Sequence, residues 1–198
     1  SRAHDRDARL PRRGRRGGGG HDGKVARVAV PLADELAAPV ACVWLHNDAF
    51  PSSHPLAVGP IGYQGSLAAM RLMQQADVVL ALGTRLNAFG LIPQYGVEYF
   101  PRSAHLIHNS INPLELGALL PISAGLVGDC RIVANQLLAA VQGRPLRVNR
   151  NERMAVVREE RGAWEKSLKE MSCVEGQPIK PRRALWEISR ALPRETSV

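Results

Sequence analysis

A chain of 198 residues, 45% of them hydrophobic, is long enough to bury one core and short for two. Its net charge of +8 is lopsided: eight Lys/Arg against three acids fall in residues 1–24, so the remainder carries only +3, too little for an extended nucleic-acid-binding face. The three cysteines, Cys42, Cys130 and Cys173, are odd in number and widely spaced, which argues against a disulfide framework or a CxxC zinc knuckle and fits a reducing cytoplasm; no window reaches about eighteen apolar residues, which argues against a membrane span.

The first stretch, to about residue 23, is dominated by Arg and Gly and ends in Arg15-Arg16 and four glycines, so a disordered tail is expected over residues 1–24. It holds no aromatic residue to stack on bases, and a solvated or added segment is favoured over a nucleic-acid arm. There is no apolar run of the kind a secretory signal needs, and Asp5, Asp7 and Asp22 argue against organellar import. Next, Val28, Leu32 and Leu36 recur at helical spacing and predict a helix ending near Ala38, with Pro31 acceptable only in a first turn or at a kink. Pro39 stops it, and the apolar run at residues 40–45 predicts a strand covered on both faces. Residues 46–65 carry so much Pro and Gly that no regular element is expected. Ser66 is placed to cap a helix through about Gln75, with Leu67, Met70, Leu72 and Met73 inward, and residues 76–82 predict a second buried strand running into Gly83-Thr84-Arg85. A third strand is expected at residues 104–108, a turn at Asn112-Pro113, and a fourth strand at residues 124–127. A helix then follows over residues 129–141, facing inward through Ile132, Val133, Leu137 and Leu138. The charged helical stretch at residues 151–171 and the segment 178–192, with Trp186 and Ile188, are read as a linker.

Strand, glycine turn and helix in repetition imply an α/β fold, a Rossmann-like three-layer open parallel sheet with helices on both faces, because parallel neighbours need a crossover of a dozen residues or more. The expected division is a tail at 1–24, a core domain at 25–142 and a linker region at 143–198.

Gly83-Thr84-Arg85 leaves a buried strand, where an open α/β sheet presents backbone N–H groups to a ligand; a tight exit turn with a surface arginine explains the tripeptide equally well. A full GxGxxG is missing, and the glycines at 17–20 follow no predicted strand. His46 and His54 match a metal site only loosely, while His105 and His108, three apart on a strand, point to opposite faces. The segment Gln64-Gly65-Ser66-Leu67-Ala68 lacks the spacing and the preceding strand of a nucleophile elbow, so no nucleophilic catalysis is expected of this chain.

Four segments, LHNDAFPSSHPLAVGPIGYQGS at 45–66, AAMRLMQQ at 68–75, DVVLALGTRL at 77–86 and NAFGLIPQYGVEYFP at 87–101, resemble the middle domain of sulfoacetaldehyde acetyltransferases, which are thiamine-diphosphate enzymes. The likeness covers residues 28–141, and Pro181-Arg182-Arg183-Ala184-Leu185-Trp186 resembles the entry into that family's C-terminal thiamine domain, expected beyond Val198. The resemblance implies a reaction of sulfoacetaldehyde with phosphate to give acetyl phosphate and sulfite, with thiamine diphosphate as carbanion-stabilising cofactor and magnesium anchoring its diphosphate. It implies partner N- and C-terminal thiamine-binding domains and a homo-oligomer when intact. The family's catalytic glutamate and magnesium motif lie in those domains, so neither cofactor is expected to bind this chain alone, and the chain is expected to be inactive. Gly128-Asp129 could open the family's G-D-G motif, but Cys130 follows and the Asn pair is missing, so a helix cap is favoured.

Related acetolactate synthases hold FAD in this domain. Where they carry Met-His-Gly this sequence has Tyr63-Gln64-Gly65, which leaves Gln64 with Gly83, Thr84 and Arg85 as the candidate nucleotide-edge residues; Ser110 and Asn112 stand where acids would hold a ribose. A structural role is therefore favoured over nucleotide binding. The family also begins this domain with an apolar strand and a glycine turn where this chain has Arg/Gly sequence, so the first strand is expected to be lost, through an added segment or a disturbed reading frame. The alternatives are the central domain of an acetolactate-synthase-like carboligase or decarboxylase, a free-standing nucleotide-binding module, and a nucleic-acid protein acting through its basic tail, which would bind in a steeply salt-dependent way.

Overall fold

The structure, a computed structural model, describes residues 22–145 and 148–193. The disordered tail expected over residues 1–24 therefore lies outside the described residues up to residue 21, and α1 (Asp22–Leu36) already includes the last three of its positions. Pro31 sits inside α1 on its exposed side. The helix is closed by Ala37, the residue after it, in the left-handed conformation at φ 48°, with the N–H of Ala38 closing on the carbonyl of Ala33 at 3.0 Å before Pro39 turns the chain into β1 (Val40–Val43).

Among the described residues five strands form, every pair of neighbours parallel, in two hydrogen-bonded groups: β1 with β2 (Ala57–Ile61), and β3 (Val78–Leu82), β4 (His105–Ser110) and β5 (Ala124–Val127) in that order. The α/β character, the parallel pairing and the helices on both faces match the expectation from sequence. Two local readings are corrected. The first strand stops at Val43, where a 3₁₀ turn over Trp44–His46 takes over, and the loop expected at residues 46–65 contains β2. A short helix, α3 (Ala88–Leu91), was likewise not expected.

Ser66 does cap α2 (Leu67–Gln74), its Oγ accepting from the N–H of Ala69 at 3.2 Å. Asp129 caps α4 (Cys130–Val141) by accepting from the N–H groups of Arg131 and Ile132 at 2.9 and 3.2 Å. In α4 the inward face is Val133, Ala134, Leu137 and Leu138, while Ile132 is exposed, a correction of one position in the helical wheel.

The period-2 alternation of the strands feeds two helical layers. Val79 and Ala81 of β3 pack with Met73 of α2, and Leu80 and Leu82 pack with Val28 and Leu32 of α1 and Ala134 of α4. Val40 and Cys42 of β1 pack with Ala33 of α1, whereas Ala41 joins the cluster of Val58, Met70 and Tyr99. So α1 and α2 each reach from one group of strands to the other. The segment read as a linker packs on this core: α5 (Arg150–Ser172) buries Val157 completely against Val58 and Met70, and α6 (Pro181–Ala191) rests on α5.

Candidate functional site

The carboxyl ends of β3, β4 and β5 and the start of α4 meet around Gly83. This glycine has φ +61°, and a Cβ there would lie 3.1 Å from both Cβ and Sγ of Cys130, so a residue without a side chain is required where the strand exit touches the helix start. The N–H of Gly83 donates to the backbone and the side-chain oxygen of Asn109, at 3.1 and 3.3 Å. Asn109, fully buried in β4, also donates its side-chain N–H groups to the carbonyls of Leu126 and Gly128, both at 3.0 Å. One amide thus staples three strand ends. Its neighbour His108, 1% exposed, bonds the carbonyl of Thr84 through Nε2 at 2.7 Å and accepts the N–H of Gly117 at Nδ1 at 3.4 Å, which fixes the tautomer with hydrogen on Nε2. Thr84 Oγ1 accepts from the N–H of Leu86 at 3.2 Å, and Arg85 points outward, exposed, with no carboxylate partner among the described residues.

Gln64 lies elsewhere, in the turn after β2. That turn is built on Gly62 at φ +84°, where a Cβ would stand 2.2 Å from the carbonyl oxygen of Phe89, and on Gly65, whose carbonyl accepts the Tyr95 hydroxyl at 3.0 Å. Gln64 itself is exposed at φ +53°. A cleft of about 480 Å³ opens between β1 and β3; Gly83, Thr84, Asp129 and Cys130 line it, and neither Arg85 nor Gln64 does. Sequence reasoning missed Asn109 and His108 as the residues that hold this edge. The signal for them was three consecutive polar residues, 108–110, directly after the apolar pair Leu106-Ile107.

The chemistry available here is limited. Burial, and then the Asp129 carboxylate, push the Cys130 thiol up, so it stays protonated although it begins a helix; burial likewise raises Cys42. The start of α4 is no phosphate cradle, because Asp129 already occupies two of its N–H groups and brings negative charge to the spot. Ser110 and Asn112 are committed to their own turn: Ser110 donates to Glu115 at 2.7 Å, and Asn112 accepts from the N–H of Leu114 at 3.1 Å. His54 is tied to the N–H of Leu56 and pairs with Asp34 at 3.5 Å, and His105 meets Ser123 at 3.1 Å on the face opposite His108. Among the described residues no three His, Cys, Asp or Glu side chains converge as metal ligands. A magnesium-anchored diphosphate therefore finds no fitting ligand set among the described residues.

The sequence pattern of the central domain of thiamine pyrophosphate enzymes matches residues 16–137. The chain belongs to that family. Among curated relatives, this central domain is 41% identical to sulfoacetaldehyde acetyltransferase of Roseovarius nubinhibens over 84% of the chain and 30% of that protein, and 40% identical to the enzyme of the same name from Castellaniella defragrans over 92% and 33%. Similarity to the probable acetolactate synthase large subunit of Methanocaldococcus jannaschii is lower, 28% over 81% of the chain and 26% of that protein. The chain spans about a third of the length of the curated relatives it matches. A solved chain described as a thiamin diphosphate-dependent enzyme from Mycobacterium smegmatis aligns with a TM-score of 0.47 at 27% identity, over 63% of this chain and 25% of that one. No helix of this central domain, among the described residues, is long and apolar enough to cross a membrane.

Proposed function

We propose that the chain is the central part of a cytoplasmic thiamine-diphosphate-dependent sulfoacetaldehyde acetyltransferase, which converts sulfoacetaldehyde and phosphate to acetyl phosphate and sulfite, and that by itself it is inactive. The observation that carries this reading is the gap between 40–41% identity to sulfoacetaldehyde acetyltransferases and 28% to the acetolactate synthase relative. Its contribution is architectural: a rigid block whose edges, stapled by Asn109 and His108 and turned at Gly62, set the positions of thiamine-binding domains before and after it in a homo-oligomeric enzyme. Thiamine diphosphate and magnesium belong to those domains, since no described cluster here offers a metal three acidic or imidazole ligands. Gly83, Thr84, Arg85 and Gln64 act in this reading as turn residues, because Asp129 occupies the helix start that a nucleotide phosphate would need.

The test is a segment exchange. Put in place of the matching part of the Castellaniella defragrans enzyme, this chain is expected to sustain phosphate-dependent sulfite release; in the acetolactate synthase it is not. Sustained acetolactate formation with no sulfite release would assign it to the carboligases. Calorimetry on the isolated chain is expected to show no binding of thiamine diphosphate with magnesium, FAD, ADP or NAD, and binding of any nucleotide would restore the free-standing module.

A further inference from the structure

Residues 111–123, which join β4 to β5, form a strap on the side of the sheet that Leu106 and His108 share by strand alternation. The inner side of the strap is apolar. Leu120 and Ile122 pack with Val79, Ala81 and Leu106, and a Cβ on Gly125 would lie 3.1 Å from Cδ1 of Leu116 and 3.3 Å from Cδ1 of Ile122. Both ends are fastened to β4. At the start the Ser110 hydroxyl donates to Glu115 at 2.7 Å and accepts from the N–H of Asn112 at 3.1 Å; at the end the N–H of Ser123 donates to the carbonyl of Leu106 at 2.8 Å. The middle is held by His108, whose Nδ1 accepts the N–H of Gly117 at 3.4 Å while its Nε2 hydrogen goes to the carbonyl of Thr84 at 2.7 Å. Gly117 is exposed and the ring beneath it is 1% exposed, so one layer of chain separates Nδ1 from water.

We infer that His108 is an acid-sensitive latch: its neutral ring holds the strap down, and a proton taken up at Nδ1 releases it. Nε2 already carries its hydrogen toward Thr84, so Nδ1 is the only place for a second proton. There the proton would point at the Gly117 N–H, two donors with no acceptor between them, so the proton and the closed strap exclude each other. Opening admits water to Nδ1, and water accepts from an imidazolium. The open form therefore binds more protons than the closed one, and opening is favoured as the pH falls. The charged and titratable groups on the surrounding elements do not supply a competing switch of the same kind. Residues 116–122, β3 and β5 contain none. Arg85, after Thr84, is exposed and of like charge to an imidazolium; Glu115 is held by Ser110; Arg71 of α2 pairs with Glu160 of α5. Asp129, Cys130 and Arg131 belong to the start of α4, which packs on the opposite side of the sheet. His105 bonds the Ser123 hydroxyl at 3.1 Å on that opposite side, and a hydroxyl serves either form of a ring by turning. None of this depends on the reaction proposed above.

Amide exchange of the full chain at pH 5.5, 6.5 and 7.5, with the intrinsic pH dependence of exchange divided out, tests the latch. Protection of residues 111–120 is expected to fall by up to about tenfold for each unit of acidification, the limit for one proton, while α2 and α4 keep theirs. In His108→Gln, which has no proton to take up in this range, the fall is expected to vanish; in Glu115→Gln and in His105→Gln it is expected to persist. Protection independent of pH in the unaltered chain, a fall retained in His108→Gln, or a fall lost in either of the other variants would overturn the proposal. Should His108→Gln not fold, nitrogen NMR of the imidazole in the unaltered chain decides. A proton gained at Nδ1 together with loss of Gly117 protection supports the latch, and a proton gained with Gly117 still protected overturns it.

Discussion

Gly62 and Gly96 both sit at positive φ, +84° and +70°, yet for different reasons. A Cβ on Gly62 would lie 2.2 Å from the Phe89 carbonyl oxygen and 2.7 Å from Cα of Gly90, while a Cβ on Gly96 would meet nothing within 4 Å. Gly96→Ala is therefore expected to cost about 1 kcal/mol for the left-handed conformation alone, and Gly62→Ala about 2–4 kcal/mol, because the turn must also move off α3. Urea unfolding of the two variants checks this, and equal losses would remove the close approach from the account. Tyr99 supplies a second prediction. It is 1% exposed, its hydroxyl donates to the carbonyl of Gly90, and burial pushes its phenol up to about 12. The folded state thus keeps a proton that the unfolded chain loses near pH 10, so stability is constant below about pH 10 on this account and falls by about 2–3 kcal/mol as the pH rises to about 12. Tyr99→Phe is expected to abolish that alkaline loss, which unfolding curves at pH 9, 10 and 11 would register; an unchanged slope in the variant would assign the loss to other groups.

Among the elements, those built from short-range signals were readable from the sequence. The β3 and β5 runs are apolar and bounded by turn residues, and the caps at Ser66 and Asp129 announce α2 and α4. β2 was hidden by Gly59 and Pro60, which mark loops in a sequence; among the described residues β2 has only β1 beside it, and on an edge strand a residue with no N–H to give is tolerated. α5 was read as a linker because its composition is charged. Its attachment uses few apolar residues, Val157, Met154 and Trp164, whose ring lies 5.6 Å from that of Tyr95, and relies on arginines: Arg150 bonds the carbonyls of Asp34 and Glu35, Arg153 that of Leu36, and Arg161 those of His54 and Pro55. Hydrophobic periodicity does not register a docking made of guanidinium groups and the ends of another helix. The same blindness applies at the candidate site. The strand-exit Gly83 was visible as a glycine after an apolar run, whereas Asn109 and His108, polar and completely enclosed, read in sequence as the end of a strand and not as its fastening.

For the whole molecule the question is where the folding unit ends, and α5 decides it. The carbonyls at the end of α1 accept hydrogen bonds from Arg150 and Arg153, so removing α5 leaves the last turn of α1 without these partners, at about 1 kcal/mol for each bond lost. It also uncovers Val58, Met70 and the rest of the cluster that Val157 closes, at about 1.5–3 kcal/mol for a fully buried side chain of this size. The ion pair between Arg71 and Glu160 at 3.5 Å, which links α2 to α5, adds little, since Arg71 is half exposed. The total, about 4.5–6 kcal/mol, is a large share of the 5–15 kcal/mol typical of a domain. A chain ending at Gly143 is therefore expected to unfold at markedly lower urea, with a broadened transition and binding of a hydrophobic dye at the exposed cluster. A chain ending at Cys173, which keeps α5 and drops α6, is expected to stay within about 1 kcal/mol of the full chain, because among the described residues α6 packs mainly on α5 and exposes Leu185 and Ile188. Equal stability of the two truncated chains would return α5 to the status of a linker and place the end of the folding unit near Val141.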